Sequence, residues 1–181
     1  MQEAFAFLVD TLFSLLFFAF LLRLLLQWVR ADFRNPLCLA IVQITNPVIM
    51  PLRRVLPPIR RIDTASVVAV LAVSIIRVIA SNWAHGIGPH EMDLLSATAL
   101  LRIAILELAR SVLQVYFWSL LLYALLSWIA PTTRTPAGSI LNSLCEPLLA
   151  PLRRVIPPIA GLDLSALFAM IAIQFVLLLL R

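Results

Sequence analysis

Two Arg-Arg pairs, each set between prolines, are the groups in this sequence best suited to binding. The segment PLRRVLPP at residues 51–58 returns 100 residues later as PLRRVIPP at residues 151–158. A guanidinium makes bidentate, weakly hydrated contacts with phosphate and carboxylate groups. These arginines therefore predict contact with anionic lipid headgroups or with an acidic partner. A topology signal is the alternative explanation, although such a signal requires no fixed proline spacing.

Acidic side chains accompany both pairs. Asp63 and Asp163 each stand directly before an apolar segment, a position typical of helix N-caps. Each could also form an ion pair with the arginines of its own copy. Glu146 lies one helical turn from Asn142 and is predicted to face solvent at a helix edge. The candidates for lipid or partner contact are Arg53, Arg54, Arg153, Arg154, Glu146, Asp63 and Asp163.

Known catalytic patterns do not occur in the sequence. It contains no Ser-His-Asp, Walker, Rossmann or HExxH pattern. His85, His90, Glu91 and Asp93 are metal-binding residue types, but their spacing is not that of a standard zinc site. We therefore expect no enzyme, no cofactor and no metal.

Four ionisable residues, Asp10, Arg77, Glu107 and Arg110, lie within or beside apolar segments. Charges within a membrane are costly and are functional candidates by default. All four fall toward the outer ends of their segments, so snorkelling or mutual pairing is the simpler explanation. A pair between Asp10 and either arginine would bring the first segment close to another one.

The composition is that of a membrane protein. Hydrophobic residues make up 62% of the chain and the mean hydropathy is +1.03, whereas soluble domains are nearer half apolar. The net charge is +5, and every basic residue is an arginine. Because the arginines flank apolar segments, they indicate membrane topology rather than nucleic-acid binding. We expect no nucleic-acid partner.

The apolar segments predict an all-α, polytopic membrane protein with four transmembrane helices. These occupy residues 4–29, 64–80, 111–129 and 164–180, and about 20 helical residues cross a bilayer. The third span is the end of a longer helix predicted to begin near residue 94. Cys38 and Cys145 are not expected to form a disulfide.

Two short amphipathic helices, interfacial or re-entrant, are predicted before the Arg-Arg pairs. The first covers residues 37–46, and Asn35-Pro36 and Thr135-Pro136 signal where the two helices start. Because proline disfavours helix in the residue before it, both helices are predicted to end at Pro47 and Pro147. The Pro-Arg segments that follow are predicted to be extended. The prolines of the motif are Pro47, Pro51, Pro57, Pro58, Pro147, Pro151, Pro157 and Pro158.

The repeated pattern is a span, a short helix, a Pro-Arg segment and a second span. It predicts a first repeat at residues 1–81, an extracytoplasmic loop at 82–98 and a second repeat at 99–181. Two spans in each copy make the repeats parallel. Arginine-rich connections favour the cytosolic side, so both termini are predicted to be extracytoplasmic.

With these residues identified, the chain resembles the YggT family of bacterial inner-membrane proteins, which has plastid relatives. The family pattern is Glu-Pro-x-x-x-Pro-x-Arg-Arg-x-x-Pro-Pro, then Gly-x-Asp-x-Ser-Pro. The second copy matches it at Glu146, Pro147, Pro151, Arg153, Arg154, Pro157, Pro158, Gly161, Asp163 and Ser165. Ala166 departs from the final proline, and the first copy has Asn46 for Glu, Arg61 for Gly and Ala65 for Ser.

The resemblance implies an inner-membrane location. It also implies links to osmotic or salt tolerance with potassium uptake, to cell division and, in plastids, to cytochrome maturation. No single biochemical activity joins these roles. The function expected here is a scaffold or assembly factor that contacts anionic headgroups, a membrane-protein partner or a second copy of itself. The alternative is ion permeation or transport during osmotic stress.

Overall fold

The structure is a computed structural model that describes residues 2–56, 63–85, 97–129, 135–155 and 163–180. Within these ranges the chain forms six α-helices and no strand. The helices are α1 (Gln2–Trp28), α2 (Pro36–Val55), α3 (Thr64–Ala84), α4 (Ala97–Ile129), α5 (Pro136–Val155) and α6 (Leu164–Leu179). The predicted all-α class is confirmed.

Within the described ranges, four helices are long and apolar enough to cross a membrane. The qualifying segments are Glu3–Trp28, Pro36–Val55, Thr64–Ala84 and Thr98–Ser127, whereas the apolar helix Leu164–Leu179 is shorter. The predicted number of four is therefore confirmed, but α2 stands in this set where the sequence predicts the last helix. Its mean hydropathy of 1.2 is the lowest of the four, and its last turn carries Arg53 and Arg54.

The predicted ends of the two short helices are wrong. Both α2 and α5 have 20 residues and continue through internal prolines to the Arg-Arg pairs. Pro47 and Pro51 are four residues apart on an exposed face, while Ile49 between them is fully buried. A proline removes one intrahelical donor, and packing of the buried face offsets that loss. Pro57, Pro58, Pro157 and Pro158 lie outside the described residues.

The predicted start signals of α2 and α5 are confirmed. The Asn35 side chain accepts a hydrogen bond from the Leu37 amide at 2.9 Å, and the Thr135 hydroxyl accepts one from the Gly138 amide at 3.1 Å. These contacts satisfy amides that have no partner inside the helix. Local chemistry is therefore enough to place both helix starts.

The helices pack into two compact units. The first unit comprises residues 1–24 and 41–109, and the second comprises residues 25–40 and 110–181. These units are defined by packing, whereas the two predicted repeats are defined by sequence, so the repeat organisation stays a prediction. Within the first unit, the buried residues include Phe17, Phe20 and Leu21 of α1.

The core of the second unit lies where α4, α5 and α6 meet. Its buried members are Leu120, Cys145, Leu149, Ala166, Ala169 and Ile173. The alanines of α6 let its backbone approach its neighbours closely, as is common between helices in membranes. Cys38 and Cys145 are free and buried.

Large apolar side chains cover the outer faces of the helices. Along α1, Phe7, Leu8, Leu12 and Leu15 are each about two-thirds exposed. A continuous apolar surface of this kind is unfavourable in water but suits contact with lipid. The exposed faces therefore agree with a multi-pass membrane protein.

Candidate functional site

The first Arg-Arg pair is joined to the start of α3. Arg53 donates through Nε (3.2 Å) and Nη2 (2.5 Å) to the same oxygen, Oδ2 of Asp63. The Ser66 hydroxyl donates to that oxygen at 2.7 Å. The Arg53 side chain is still 43% exposed, while that of Asp63 is 9% exposed. The pair thus connects two helices and leaves much of the guanidinium accessible.

Arg23 of α1 is buried beside this pair, and sequence reasoning did not single it out. Its Nη1 donates to the Val42 carbonyl (3.2 Å), the Thr45 hydroxyl (2.6 Å) and the Asn46 side-chain oxygen (2.8 Å). Only 3% of the residue is exposed. All three acceptors are uncharged, so Arg23 has no carboxylate partner among the residues that the structure describes.

The second Arg-Arg pair has a denser set of partners. Arg153 donates through Nε (3.0 Å) and Nη2 (2.6 Å) to Oδ2 of Asp163. Its Nη1 donates to Glu146 at 2.9 Å, and Nη2 also reaches the Tyr123 hydroxyl at 3.0 Å. Every nitrogen of this guanidinium is therefore occupied by protein oxygens, and the predicted pairing of arginine with aspartate holds in both copies.

The Glu146 side chain is 47% exposed, as predicted for a helix edge, and also has a partner within the protein. Glu146 forms an ion pair with Arg153. The two residues are seven positions apart, which places them on one face only if the helix continues between them. Because α5 runs through Pro147, that condition is met. The sequence did not predict this ion pair, because it predicted that the helix ends at Pro147.

Asp163 is the N-cap of α6, as predicted. Its side chain accepts hydrogen bonds from the Ser165 amide at 3.1 Å and from the Ser165 hydroxyl. Burial raises the pKa of the Asp163 carboxyl, but the hydrogen bonds from Ser165 and Arg153 outweigh it and hold the pKa below its usual value. Burial likewise opposes the charge of Arg153, yet its partners raise the pKa of this guanidinium.

Residues at matching positions give the two clusters opposite net charge. The first cluster is Arg23, Asn46, Arg53 and Asp63, and it sums to one positive charge. The second is Tyr123, Glu146, Arg153 and Asp163, and it sums to one negative charge. Two differences produce this result: Arg23 against Tyr123, and Asn46 against Glu146. The two clusters therefore present opposite net charge to any ligand despite their common motif.

Arg54 and Arg154 are exposed members of the candidate set. Both lie in the last turn of their helices and are exposed. Neither forms an ion pair with any residue in the described part of the chain. Arginine at a helix C-terminus is favoured by the helix dipole, and the exposed guanidinium remains available to an external anion.

A second polar group lies inside the first unit. Arg77 of α3 and Glu107 of α4 form an ion pair, to which the Ser74 hydroxyl adds a 2.9 Å hydrogen bond. Mutual pairing is thus confirmed for these two charges. Asp10 does not pair with Arg77 among the described residues, but both line a cavity of about 370 Å³ together with Ser14.

Arg110 and His85 lie outside the two clusters. Arg110 donates through Nε to the Leu180 carbonyl at 2.9 Å and also through Nη2, which caps the end of α6. His85 Nδ1 lies 2.8 Å from the Ser81 carbonyl. His90, Glu91 and Asp93 lie outside the described residues. No trio of metal-ligating side chains occurs within the described ranges.

Comparison with known proteins identifies a family and several relatives. The CCB3/YggT family model matches residues 2–84 and 102–181. An uncharacterised protein of Pseudomonas aeruginosa is 37% identical over 97% of this chain and 87% of its own length. An uncharacterised protein from the proC 3′ region of Vibrio alginolyticus is 38% identical over 96% and 91%. The uncharacterised Escherichia coli K12 protein YggT is 32% identical over 94% and 85%.

No solved structure matches the chain significantly. The family match covers both Arg-Arg pairs, both aspartate caps and all or most of each described helix. The three relatives likewise match 94% or more of the chain. This protein belongs to the CCB3/YggT family.

Proposed function

We propose that this protein is a non-enzymatic scaffold or assembly factor of the bacterial inner membrane. In this proposal, the Arg-bearing ends of α2 and α5 face the cytosolic leaflet and both chain termini lie outside the cytoplasm. Anionic headgroups and partner proteins, including a second copy of the chain, are its ligands. The main support is the exposure of Arg54 and Arg154 at the last turn of two helices that share one motif.

In this proposal, the Arg-Arg pairs of the two copies have different roles. Arg53 is partly exposed and has one carboxylate partner, so it can share its charge with a headgroup phosphate. Arg153 has all its nitrogens occupied, so it acts as a structural tie rather than a headgroup ligand. Headgroup contact therefore falls to Arg53, Arg54 and Arg154, and the acidic second cluster is better suited to a basic partner.

The test compares lipid binding by full-length variants in nanodiscs of phosphatidylcholine with added phosphatidylglycerol. Native mass spectrometry counts the anionic lipids retained by each variant. Arg54→Gln and Arg154→Gln should each reduce the affinity about fivefold, because a juxtamembrane charge contributes about 1 kcal/mol. Exposed Gln43→Ala on α2 is the matched control and should change nothing.

Two results would contradict the proposal, one for lipid contact and one for partner contact. Unchanged retention of phosphatidylglycerol in the Arg54→Gln/Arg154→Gln double variant would remove headgroup contact from the function. Site-specific photocrosslinkers at positions 54 and 154 then test the partner half of the proposal. A scaffold requires one reproducible protein adduct at these positions, and adducts with lipid alone reject it.

Ion permeation is the second candidate, and a specific observation favours it. Arg77, Glu107, Ser74 and Ser14 form a polar chain within apolar helices, beside a cavity that Asp10 also lines. Intramembrane charges of this kind mark ion pathways in many transporters. Purified protein in liposomes should then carry a cation flux that Asp10→Asn abolishes. Protein-free leak rates for all monovalent cations would reject this candidate.

A further inference from the structure

The guanidinium of Arg23 uses only one of its two binding edges. Its three hydrogen bonds to α2 all leave from Nη1. Among the residues that the structure describes, the buried Nε has no hydrogen-bond partner and Nη2 donates to none. The Nε and Nη2 hydrogens point in parallel, and together they form the fork that binds carboxylate or phosphate side-on.

Three other arginines show how this chain normally uses that edge. Arg53, Arg153 and Arg110 each direct Nε and Nη2 onto a single oxygen, which belongs to Asp63, Asp163 and the Leu180 carbonyl, respectively. Arg23 is more deeply buried than any of them. A buried donor without a partner costs free energy, so the arrangement indicates a ligand oxygen at this edge.

The surroundings of Arg23 favour an anion. No carboxylate pairs with Arg23 in the described part of the chain, and the cluster as a whole carries one surplus positive charge. Asn46, which accepts a hydrogen bond from Arg23, and Arg53 are seven residues apart on α2, so the second arginine lies about two turns along the same face. Arg23 also lies five residues from the end of α1, about 7 Å along the helix axis, which is within reach of the headgroup layer.

We propose that the Nε–Nη2 edge of Arg23, with Arg53 as the second cation, is a specific binding site for a phosphoryl oxyanion. The oxyanion comes either from an anionic phospholipid or from free phosphate. The inference deepens the proposed headgroup contact and rests on it for the lipid source only. It differs from that contact in kind, because one buried fork selects one phosphate whereas the exposed arginines attract the leaflet in general.

The test measures ligand affinity of the full-length protein by native mass spectrometry in detergent. The probes are phosphatidylglycerol, phosphatidylcholine and inorganic phosphate. Arg23→Lys keeps the charge but removes the fork, so it should weaken the tightest phosphatidylglycerol site about tenfold. Exposed Arg34→Lys is the matched control and should leave that site unchanged. If millimolar inorganic phosphate displaces phosphatidylglycerol from this site, the oxyanion comes from free phosphate. If only lipid displaces it, the oxyanion comes from the headgroup.

A second variant covers the case in which Arg23→Lys does not fold. Asn46→Glu places a carboxylate where the second copy has Glu146, so the protein supplies its own anion to Arg23. It should raise the thermal midpoint and weaken the phosphatidylglycerol site about tenfold. An unchanged affinity in either folded variant overturns the inference. If Arg54→Gln still reduces general lipid retention in that case, the proposed headgroup contact survives and only the Arg23 site is lost.

Discussion

Arg153 and Asp163 are joined by two hydrogen bonds, of 3.0 and 2.6 Å, from one guanidinium edge to one carboxylate oxygen. The same aspartate caps α6 through Ser165. The end of α5 is therefore tied to the start of α6 by a residue that also fixes where α6 begins. Because Glu146 and Tyr123 bind the same guanidinium, this tie includes α4 as well.

The first prediction is that Arg153 contributes more to stability than Arg53. Arg153→Met should lower the free energy of unfolding by about 2 kcal/mol, because hydrogen bonds to charged groups contribute about 1.5–3 kcal/mol. Arg53→Met should cost less than about 1 kcal/mol, since its side chain is 43% exposed. Chemical denaturation in detergent measures both, and exposed Arg154→Met is the control. Equal losses at positions 53 and 153 would contradict the structure.

The second prediction concerns pH. The pKa of Asp163 is lowered in the folded state from its ordinary value of 3.8, so its contribution is complete above that value. It is lost as the pH falls from there through the lowered folded pKa, because the unfolded state then binds the proton more readily. The stability gap between the wild type and Asp163→Asn should therefore close in that window. A gap that stays constant below pH 3.8 would count against the assignment.

The third prediction concerns the pair inside the first unit. Arg77→Met should destabilise the protein by roughly 3 kcal/mol, because it leaves Glu107 as an uncompensated, mostly buried charge. Adding Glu107→Leu should recover most of that loss, since replacing a whole buried pair is often neutral. Thermal unfolding of the single and double variants measures the coupling. Strictly additive losses would show that the pair is not coupled.

The fourth prediction concerns thiol reactivity. Burial raises the pKa of the Cys145 thiol to about 12, and the residue is fully buried. Because the thiolate is the reactive form, N-ethylmaleimide should leave Cys145 unmodified at neutral pH until the protein is unfolded. Mass spectrometry of labelled peptides reports this directly. Rapid labelling of Cys145 in the native protein would show that α5 separates readily from its neighbours.

The fifth prediction tests topology, and it relies on the two buried native cysteines not reacting with the maleimide. The exposed Arg154→Cys variant should react with a membrane-impermeant maleimide only after the inner membrane is permeabilised, because the arginine-rich side is expected to be cytosolic. Exposed Trp83 lies at the C-terminal end of α3, away from the end that follows Asp63. A Trp83→Cys variant should react in spheroplasts whose inner membrane is intact. The reverse pattern would invert the proposed orientation.

The features that could be predicted from the sequence are those set by neighbouring residues. Asn35, Thr135 and Asp163 act within two or three positions of their own place in the chain, so local capping rules identify them. The role of Arg23 depends on side chains 22 and 23 residues away, and no local rule brings these together. The only sequence signal was a difference between the copies, with Arg23 opposite Tyr123.

The error at Pro47 and Pro147 has a different cause. Proline rules describe the preference of an isolated segment, and here the buried face of the helix decides the outcome. Thr45 and Ile49 on either side of Pro47 are fully buried, so ending the helix there would lose packing on both. The same continuation places Glu146 on the face of Arg153. A single wrong helix end therefore hid one of the contacts that define the second cluster.

The paired prolines also determine what these helices can offer to the headgroup layer. Pro47 and Pro51 have no N–H, so the carbonyls of Gln43 and Pro47 lack the donor that a helix normally supplies four residues later. The exposed side of α2 is thus richer in acceptors than in donors, and α5 repeats the arrangement with Pro147 and Pro151. Ethanolamine and glycerol headgroups carry N–H or O–H groups that can donate hydrogen bonds to these carbonyls, whereas choline carries none. In the proposed orientation we therefore expect this face to prefer headgroups that carry donors over choline, independently of their charge.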